Sequence, residues 1–326
     1  MEPPTPPAPL EVGLNAVIVA VTDDEPRVLT IGRPESGGGR IGALPAGPLD
    51  AARDRTLELA LRRWVRELSG VELGYVEQLY TFGNRDRDPR ERQGGPRMLS
   101  IAYLALVREA TLVPLPEAAW RGIYDFLPWE DWRDGRPEAV LAKVENALER
   151  WIAASGERDE KRRRRERVDI AFGLGGAPWV GERALDRFEL LYECRAVDEA
   201  HRDRPNVGGD GGPHRLGRAM ALDHRRILAS AVGRMRGKLR YRPVVFELLP
   251  AAFTLLHLQR SVEALAGRRL HKQNFRRLVE QGGLVEGTGK LAGSTGGRPA
   301  ELFRFRREVL RERPAPGVGL PGLRAG

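Results

Sequence analysis

Residues Leu44 to Val71 read LPAGPLDAARDRTLELALRRWVRELSGV. Leu57, Leu61, Trp64, Val65 and Leu68 recur at the three- and four-residue spacing that places side chains on one face of an α-helix. Thr56 or Asp54 supplies a side-chain oxygen for its start, and Gly70 stands where a helix stops. A Leu-Pro pair, Leu44 and Pro45, and then Gly47 precede it. Hard cations such as magnesium take several oxygen ligands, which carboxylates one helical turn apart can supply. Trp64 and Leu68, one turn apart on this helix, carry no such oxygen.

The stretch resembles the Nudix box, a loop-helix-loop that starts at a glycine after Leu-Pro, carries a midway glutamate and closes in Arg-Glu-apolar-any-Glu-Glu-any-Gly. The closing part is Arg63, Trp64, Val65, Arg66, Glu67, Leu68, Ser69, Gly70. With Arg63 aligned, the midway glutamate falls on Arg55, and Gly47 lies two residues too far upstream. Arg63, Glu67 and Gly70 survive, so most of the ligand set for metal-assisted pyrophosphate hydrolysis is gone. On this stretch alone a plain amphipathic helix explains the pattern equally well.

The 326 residues exceed one ordinary domain and can bury two cores. No apolar run reaches the length of a membrane span. Residues Met1 to Leu10, MEPPTPPAPL, read as a Pro-rich arm rather than a signal peptide, so a soluble cytoplasmic protein is expected. The single Cys194 excludes an internal disulfide framework and a Cys-rich zinc site. The five histidines show no metal-ligand spacing and read as surface or helix-packing residues. Residues Asp223 to Glu312 hold 19 Lys+Arg against 8 Asp+Glu, net +11, while the whole chain is +9, so the remainder is slightly acidic. Charge concentrated in this way is the footprint of a nucleic-acid-binding segment.

In chain order, Leu14–Val21 and Arg27–Ile31 read as a strand hairpin ahead of the box helix. Gly74–Phe82 and Met98–Val107 follow as strands, separated by a loop with Arg85, Arg87, Arg90, Arg92 and Arg97. Arginines on such a loop can clamp phosphates, although a solvated loop with matching acids accounts for most of them. From Pro116 to Ala154 the pattern is helical, with Val140, Leu141, Val144, Leu148 and Trp151 aligned. Ser155–Arg167 marks a composition break into a solvated helix or linker, Asp186–His201 reads as one helix, and the Gly-rich Asn206–Gly217 reads as a linker.

Beyond Asp223, Ile227, Leu228, Ala231, Val232, Met235 and Leu239 define a long helix. Thr254 caps a second, with Leu255, Leu258, Val262 and Leu265 buried and Gly267 at its end; His271–Gln281 forms a third. Helix, glycine turn, helix is the helix-turn-helix arrangement. Phe275, Leu278 and Val279 face inward, leaving Lys272, Gln273, Asn274, Arg276 and Arg277 for DNA: Arg and Lys read guanine, Asn and Gln read adenine. Leu284–Thr288 and Leu302–Arg306 form a wing, with Arg298 near its tip placed to reach the minor groove or a phosphate. A Walker reading of Gly287–Leu291 fails for want of the first glycine and of a Ser or Thr after Lys290.

With the broken box, Val76–Gly83 (VEQLYTFG), Phe246–Pro250 (FELLP), Phe253-Thr254 and Asn274–Arg277 (NFRR), the chain resembles the Nudix-related, NrtR-like transcriptional regulators, a family that includes repressors of NAD-metabolism genes. The resemblance is weak between about Ser155 and Leu222. It implies an α/β Nudix-like sandwich, catalytically silent or weak, followed by a winged helix-turn-helix, acting as a homodimer on double-stranded DNA and responding to ADP-ribose. The expected plan is a tail 1–10, a sensor 11–155, a linker or helical insertion 156–222, a winged helix-turn-helix 223–313 and a flexible tail 314–326. Thr254, Lys272, Gln273, Asn274, Arg276, Arg277 and Arg298 are the expected DNA contacts, and Arg63, Glu67 and Arg85 the expected ligand contacts. No catalytic residue, no metal site and no required cofactor are expected, and the operator is expected to be palindromic. The rival reading is a Nudix hydrolase with an accessory interaction domain, for which Glu58, Glu67 and Glu72 are the carboxylates at hand. A pure scaffold would neither bind DNA nor turn over.

Overall fold

The structure, a computed structural model, describes residues 9–35, 38–85, 87–109, 118–203, 216–293 and 299–318. The expected N-terminal arm up to residue 8, most of the Gly-rich linker Asn206–Gly217, Arg298 and the chain beyond 318 lie outside them.

Strands β1 (Leu10–Thr22) and β2 (Glu25–Pro34) form the expected hairpin, with both turn residues, Asp23 and Asp24, at positive φ. That is the turn chemistry whose twist matches a two-residue hairpin. β3 (Arg40–Ala43) pairs with β2, and β4 (Ala46–Pro48) lies antiparallel on β1. Helix α1 (Leu57–Ser69) is the box helix, followed by β5 (Tyr75–Phe82) and β6 (Arg97–Leu106). β6 runs parallel to β1 over ten residue pairs, from Leu10↔Arg97 to Val19↔Leu106, giving the sheet order β3-β2-β1-β6-β5.

The helical reading of Pro116–Ala154 needs correction at its start. Residues Ala118–Gly122 form strand β7, paired to β2 with Trp120 opposite Leu29; α2 (Ile123–Phe126) follows, and α3 begins only at Glu138, running to Ala153. Pairing with a strand ninety residues away is invisible to local periodicity.

The segment after α3 packs as well as connects. Helices α4 (Arg158–Phe172), α5 (Ala184–Glu193) and α6 (Asp198–Asp203) bury Val168, Phe172, Phe188, Leu191 and Ala200. The single helix expected over Asp186–His201 is broken by a left-handed Arg195, φ 59°. Helix α7 (His224–Leu239) bundles with α5, and α8 (Leu255–Ala266), α9 (Lys272–Gly282), β8 (Val285–Leu291), β9 (Glu301–Phe305) and α10 (Val309–Glu312) complete the winged helix. At the expected flexible tail, the described residues 314–318 instead dock: Val318 is buried and its amide donates to the Leu239 carbonyl at 2.9 Å.

Alternation sorts the sheet's side chains into two cores. Leu14, Ala16, Ile18, Leu29, Tyr103 and Ala105 pack with Leu61 and Val65 of α1. Val17, Val19, Val28, Leu104 and Leu106 face the other way, into one apolar cluster that continues through α3 to α5 and α7 into Leu258, Val262 and Phe275 of the winged helix. Two cores exist, but the sheet divides them, not the boundary between the sensor and the DNA-binding half.

Candidate functional site

Helix α1 forms as its caps require. Thr56 Oγ accepts from the Leu59 amide at 3.2 Å, and Gly70 closes the helix at φ 72°. Ala60, Leu61, Val65 and Ser69 are buried, whereas Trp64 and Leu68 are only partly so. Trp64 lies flat against β4. Its indole N–H donates to the Pro48 carbonyl at 2.8 Å, and any side chain at Gly47 would enter its ring. The position that would need a metal-binding carboxylate is therefore filled by an aromatic plug.

The two surviving charged residues face each other, and Arg63 is further engaged with Asp54. Arg63 donates in a fork to Asp54 at 2.9 and 3.0 Å, reaches Glu67 at 3.5 Å, and lies over the Trp64 ring at 4.8 Å. The Asp50 amide, with Arg63, holds the Asp54 carboxyl below the ordinary carboxylate range. Among the described residues no group of three or more His, Cys, Asp or Glu side chains is placed to hold a metal ion.

Arg85 is exposed in the turn after β5. Its neighbour Arg87 is the buried member of that loop, forked onto Asp223 with 3.0 Å from Nε to Oδ2. Arg90 pairs with Asp88 and Glu11, and Arg92 donates to the Asp203 carbonyl. The arginines of the loop are thus largely matched by acids or carbonyls of the protein itself.

A cavity of about 660 Å³ opens elsewhere, lined by Thr30, Gly32, Arg40, Ala119, Arg121, Phe126, Arg202 and Arg218 among others. Thr30 and Gly32 share the face of Val28, and Ala119 and Arg121 alternate with Trp120, which packs on the α1 side. The cavity therefore lies on the sheet face opposite α1, and Arg63, Glu67 and Arg85 do not line it. The segment 216–221 walls one side: the Arg218 amide donates to the Asp125 carbonyl at 2.8 Å and the Ala221 amide to the Gly42 carbonyl at 2.9 Å. Gly217, φ 71°, passes so close to the Phe126 carbonyl that a Cβ would collide. Arg40 and Arg202 are tied to carbonyls of Gly32 and Met220 at 2.6 and 2.8 Å, while Arg121 and Arg218 are exposed. Planar guanidinium groups around a partly apolar wall at Phe126 can take a phosphorylated ligand with a flat ring system. Sequence reading missed Arg121 and Arg218, because neither lies in a recognisable motif.

In the winged helix, Thr254 Oγ accepts from the His257 amide at 3.1 Å and so caps α8 as expected. Phe275 and Val279 of α9 are buried, Leu278 partly so, and Lys272, Gln273, Asn274, Arg276 and Arg277 are all exposed on one helix. The wing is antiparallel, with Val285 opposite Phe305, and is fastened to the helices by the Phe253↔Phe303 bridge and the Phe246–Phe305 stack at 4.3 Å. This geometry presents α9 outward as a recognition helix does.

Residues 245–305 match the family model of the NrtR DNA-binding winged helix domain. The ADPR responsive transcriptional repressor NtrR of Acinetobacter baylyi is 24% identical over 301 residues, covering 92% of this chain and 83% of that protein. The crystal structure of Shewanella oneidensis NrtR complexed with a 27mer DNA superposes at a TM-score of 0.56 with 21% identity, over 92% of this chain and 95% of that one. A MutT/nudix family protein from Enterococcus faecalis superposes at 0.52 with 18% identity, over 94% and 90%. The chain is NrtR-like in its winged helix and shares the two-part fold, Nudix domain and winged helix together, along most of its length.

Proposed function

We propose that this protein is a DNA-binding transcriptional repressor of NAD-metabolism genes that senses a nucleotide metabolite such as ADP-ribose. The observation that carries the reading is α9: five exposed side chains able to read bases or hold phosphates, on a segment of net charge +11 whose winged helix matches the NrtR DNA-binding model. Lys272, Gln273, Asn274, Arg276 and Arg277 contact the major groove and Thr254 lies near the backbone, while Arg298, a further DNA contact expected from the sequence, lies outside the described residues. Two protomers place two such helices on the half-sites of a palindromic operator in the cytoplasm. The ligand occupies the cavity opposite α1, its diphosphate held by Arg121 and Arg218. Release follows if the ligand binds the DNA-incompetent arrangement more tightly, and the ratio of the two affinities sets the response.

The test is fluorescence anisotropy or gel shift with the DNA upstream of the protein's own gene. The double variant Arg276→Ala, Arg277→Ala is expected to lose at least about 30-fold in affinity, two contacts of about 1 kcal/mol or more each. Its affinity should also depend less steeply on salt. Unchanged affinity and unchanged salt dependence would overturn the assignment.

The Nudix half acts as a sensor without catalysis, since Trp64 and Leu68 stand in for carboxylates and Arg63 is committed to Asp54. Incubated with magnesium and ADP-ribose, the protein is expected to return the ligand intact. Sustained release of AMP would establish the hydrolase reading instead.

A further inference from the structure

Helix α8, the first of the DNA-binding pair, ends inside the sensor half. The last carbonyls of any helix lack intrahelical partners, and here Tyr124 and Trp132 of the sensor half, together with Arg236 of α7, supply them. Tyr124 Oη donates to the Ala264 carbonyl at 2.7 Å, Arg236 Nε to Leu265 at 3.3 Å, and the Trp132 amide to Gly267 at 2.7 Å. Gly267, φ 71°, sits so close to the Glu130 carbonyl that no Cβ could be accommodated. Only the short turn Gly267–His271 separates this anchorage from the first residue of α9. The anchorage therefore determines where the recognition helix starts.

Tyr124 lies on α2, four residues long. Arg121, just ahead of α2, and Phe126, at its end, both line the cavity opposite α1. One short segment thus faces the cavity through its flanks and grips α8 through its middle. Tyr124 is buried, with its ring beneath Arg133 at 5.1 Å and its hydroxyl 3.5 Å from Arg236 Nη2.

We propose that Tyr124 is the coupling residue of the protein: its hydroxyl transmits the state of the cavity to the recognition helix through the Ala264 carbonyl. This rests on the function proposed above, in which a nucleotide fills the cavity. A ligand that draws on Arg121 and Phe126 repositions α2, and the Tyr124–Ala264 bond turns that shift into a displacement of the end of α8. Linkage makes the effect reciprocal, so bound operator weakens the ligand by the same factor. Tyr124 touches neither ligand nor DNA and acts by position alone.

Tyr124→Phe keeps the ring and its contact with Arg133 and removes only the hydroxyl. Operator affinity is measured with and without ADP-ribose for wild type and variant, together with ADP-ribose affinity in the absence of DNA and amide hydrogen exchange in the ligand-free proteins. In the wild type the ratio of operator affinities should fall in the range of about 5- to 150-fold usual for allosteric coupling. In Tyr124→Phe the ratio is expected within about twofold of 1, with ADP-ribose affinity unchanged, and exchange at residues 264–271 faster while that of α1 stays as it was. A merely structural tyrosine would lower stability and leave the ratio intact. A wild-type ratio in the variant, or unchanged exchange at 264–271, overturns the proposal. A wild-type protein whose operator affinity ignores ADP-ribose overturns the effector reading and the relay with it, and the wild-type arm distinguishes that failure from failure of the relay alone.

Discussion

His224 Nδ1 accepts the Leu44 amide at 2.9 Å, across 180 residues of chain, inside a fully enclosed site. Burial, and after it the positive charges of Arg87, Arg33 and Arg202, push its pKa from 6.5 down to about 4, against the opposing pull of Asp223. The folded protein therefore resists a proton that the unfolded chain takes up. Stability should be level above pH 6.5 and fall as the pH drops towards 4, by up to about 1.4 kcal/mol per unit. Depressed carboxylates such as Asp88 and Glu77 enter only below their ordinary values of 3.8 and 4.5, so they do not shape the upper part of this window. Half-buried His257 is shifted in the same direction, so His224→Asn isolates the effect. Urea unfolding across pH 4 to 7 should show a shallower slope in the variant, and equal slopes would refute the role of His224. The sequence identified His224 as a packing histidine at most, since nothing local reveals that its partner is the Leu44 amide, between β3 and β4. Trp64 has the same character: its type shows that a ligand is missing, while its seat on Gly47 depends on β4 pairing with β1.

Among the elements, those with local signals were legible to within a residue or two. Thr56 and Gly70 bound α1, and Thr254 and Gly267 bound α8, because cap chemistry acts over three or four residues. β7 and the break between α5 and α6 were not, since one depends on pairing with β2 and the other on a left-handed Arg195 that no glycine announces. Gly267 shows how far a local signal reaches. As a cap it needs only a left-handed backbone, but its Cα also fits against the Glu130 carbonyl. Gly267→Ala should therefore cost more than a cap substitution: about 1–2 kcal/mol for the left-handed conformation plus about 1–3 kcal/mol for the collision. Urea midpoints check the sum, and operator affinity should fall with it because α9 begins at Lys272, just beyond the turn. A loss under about 1 kcal/mol would mean that the junction yields easily.

At the scale of the molecule, Glu130 is completely buried between Arg187 and Arg236, at 2.5 Å from Arg187 Nε. Burial alone would raise its pKa, but the two guanidinium groups outweigh that and hold it below the ordinary range. The three residues come from the segment after α2, from α5 and from α7, so the region expected as a linker or insertion supplies part of the central ion cluster. Such a cluster contributes little net stability but tolerates few alternative arrangements, which suits a junction whose geometry carries a signal. By itself the sequence determined whatever depends on near neighbours or on sums: the box helix and its lost carboxylates, the helix-turn-helix and its outward-facing residues, and the gathering of positive charge in the last third of the chain. The tertiary structure alone decided that one core runs from the sheet into the winged helix, that the Arg-lined cavity lies opposite the box helix, and that α8 ends on Tyr124, Trp132 and Arg236. These depend on burial and hydrogen bonding between residues up to some two hundred positions apart. Periodicity and spacing record which face of an element is apolar, but not which distant surface will cover it.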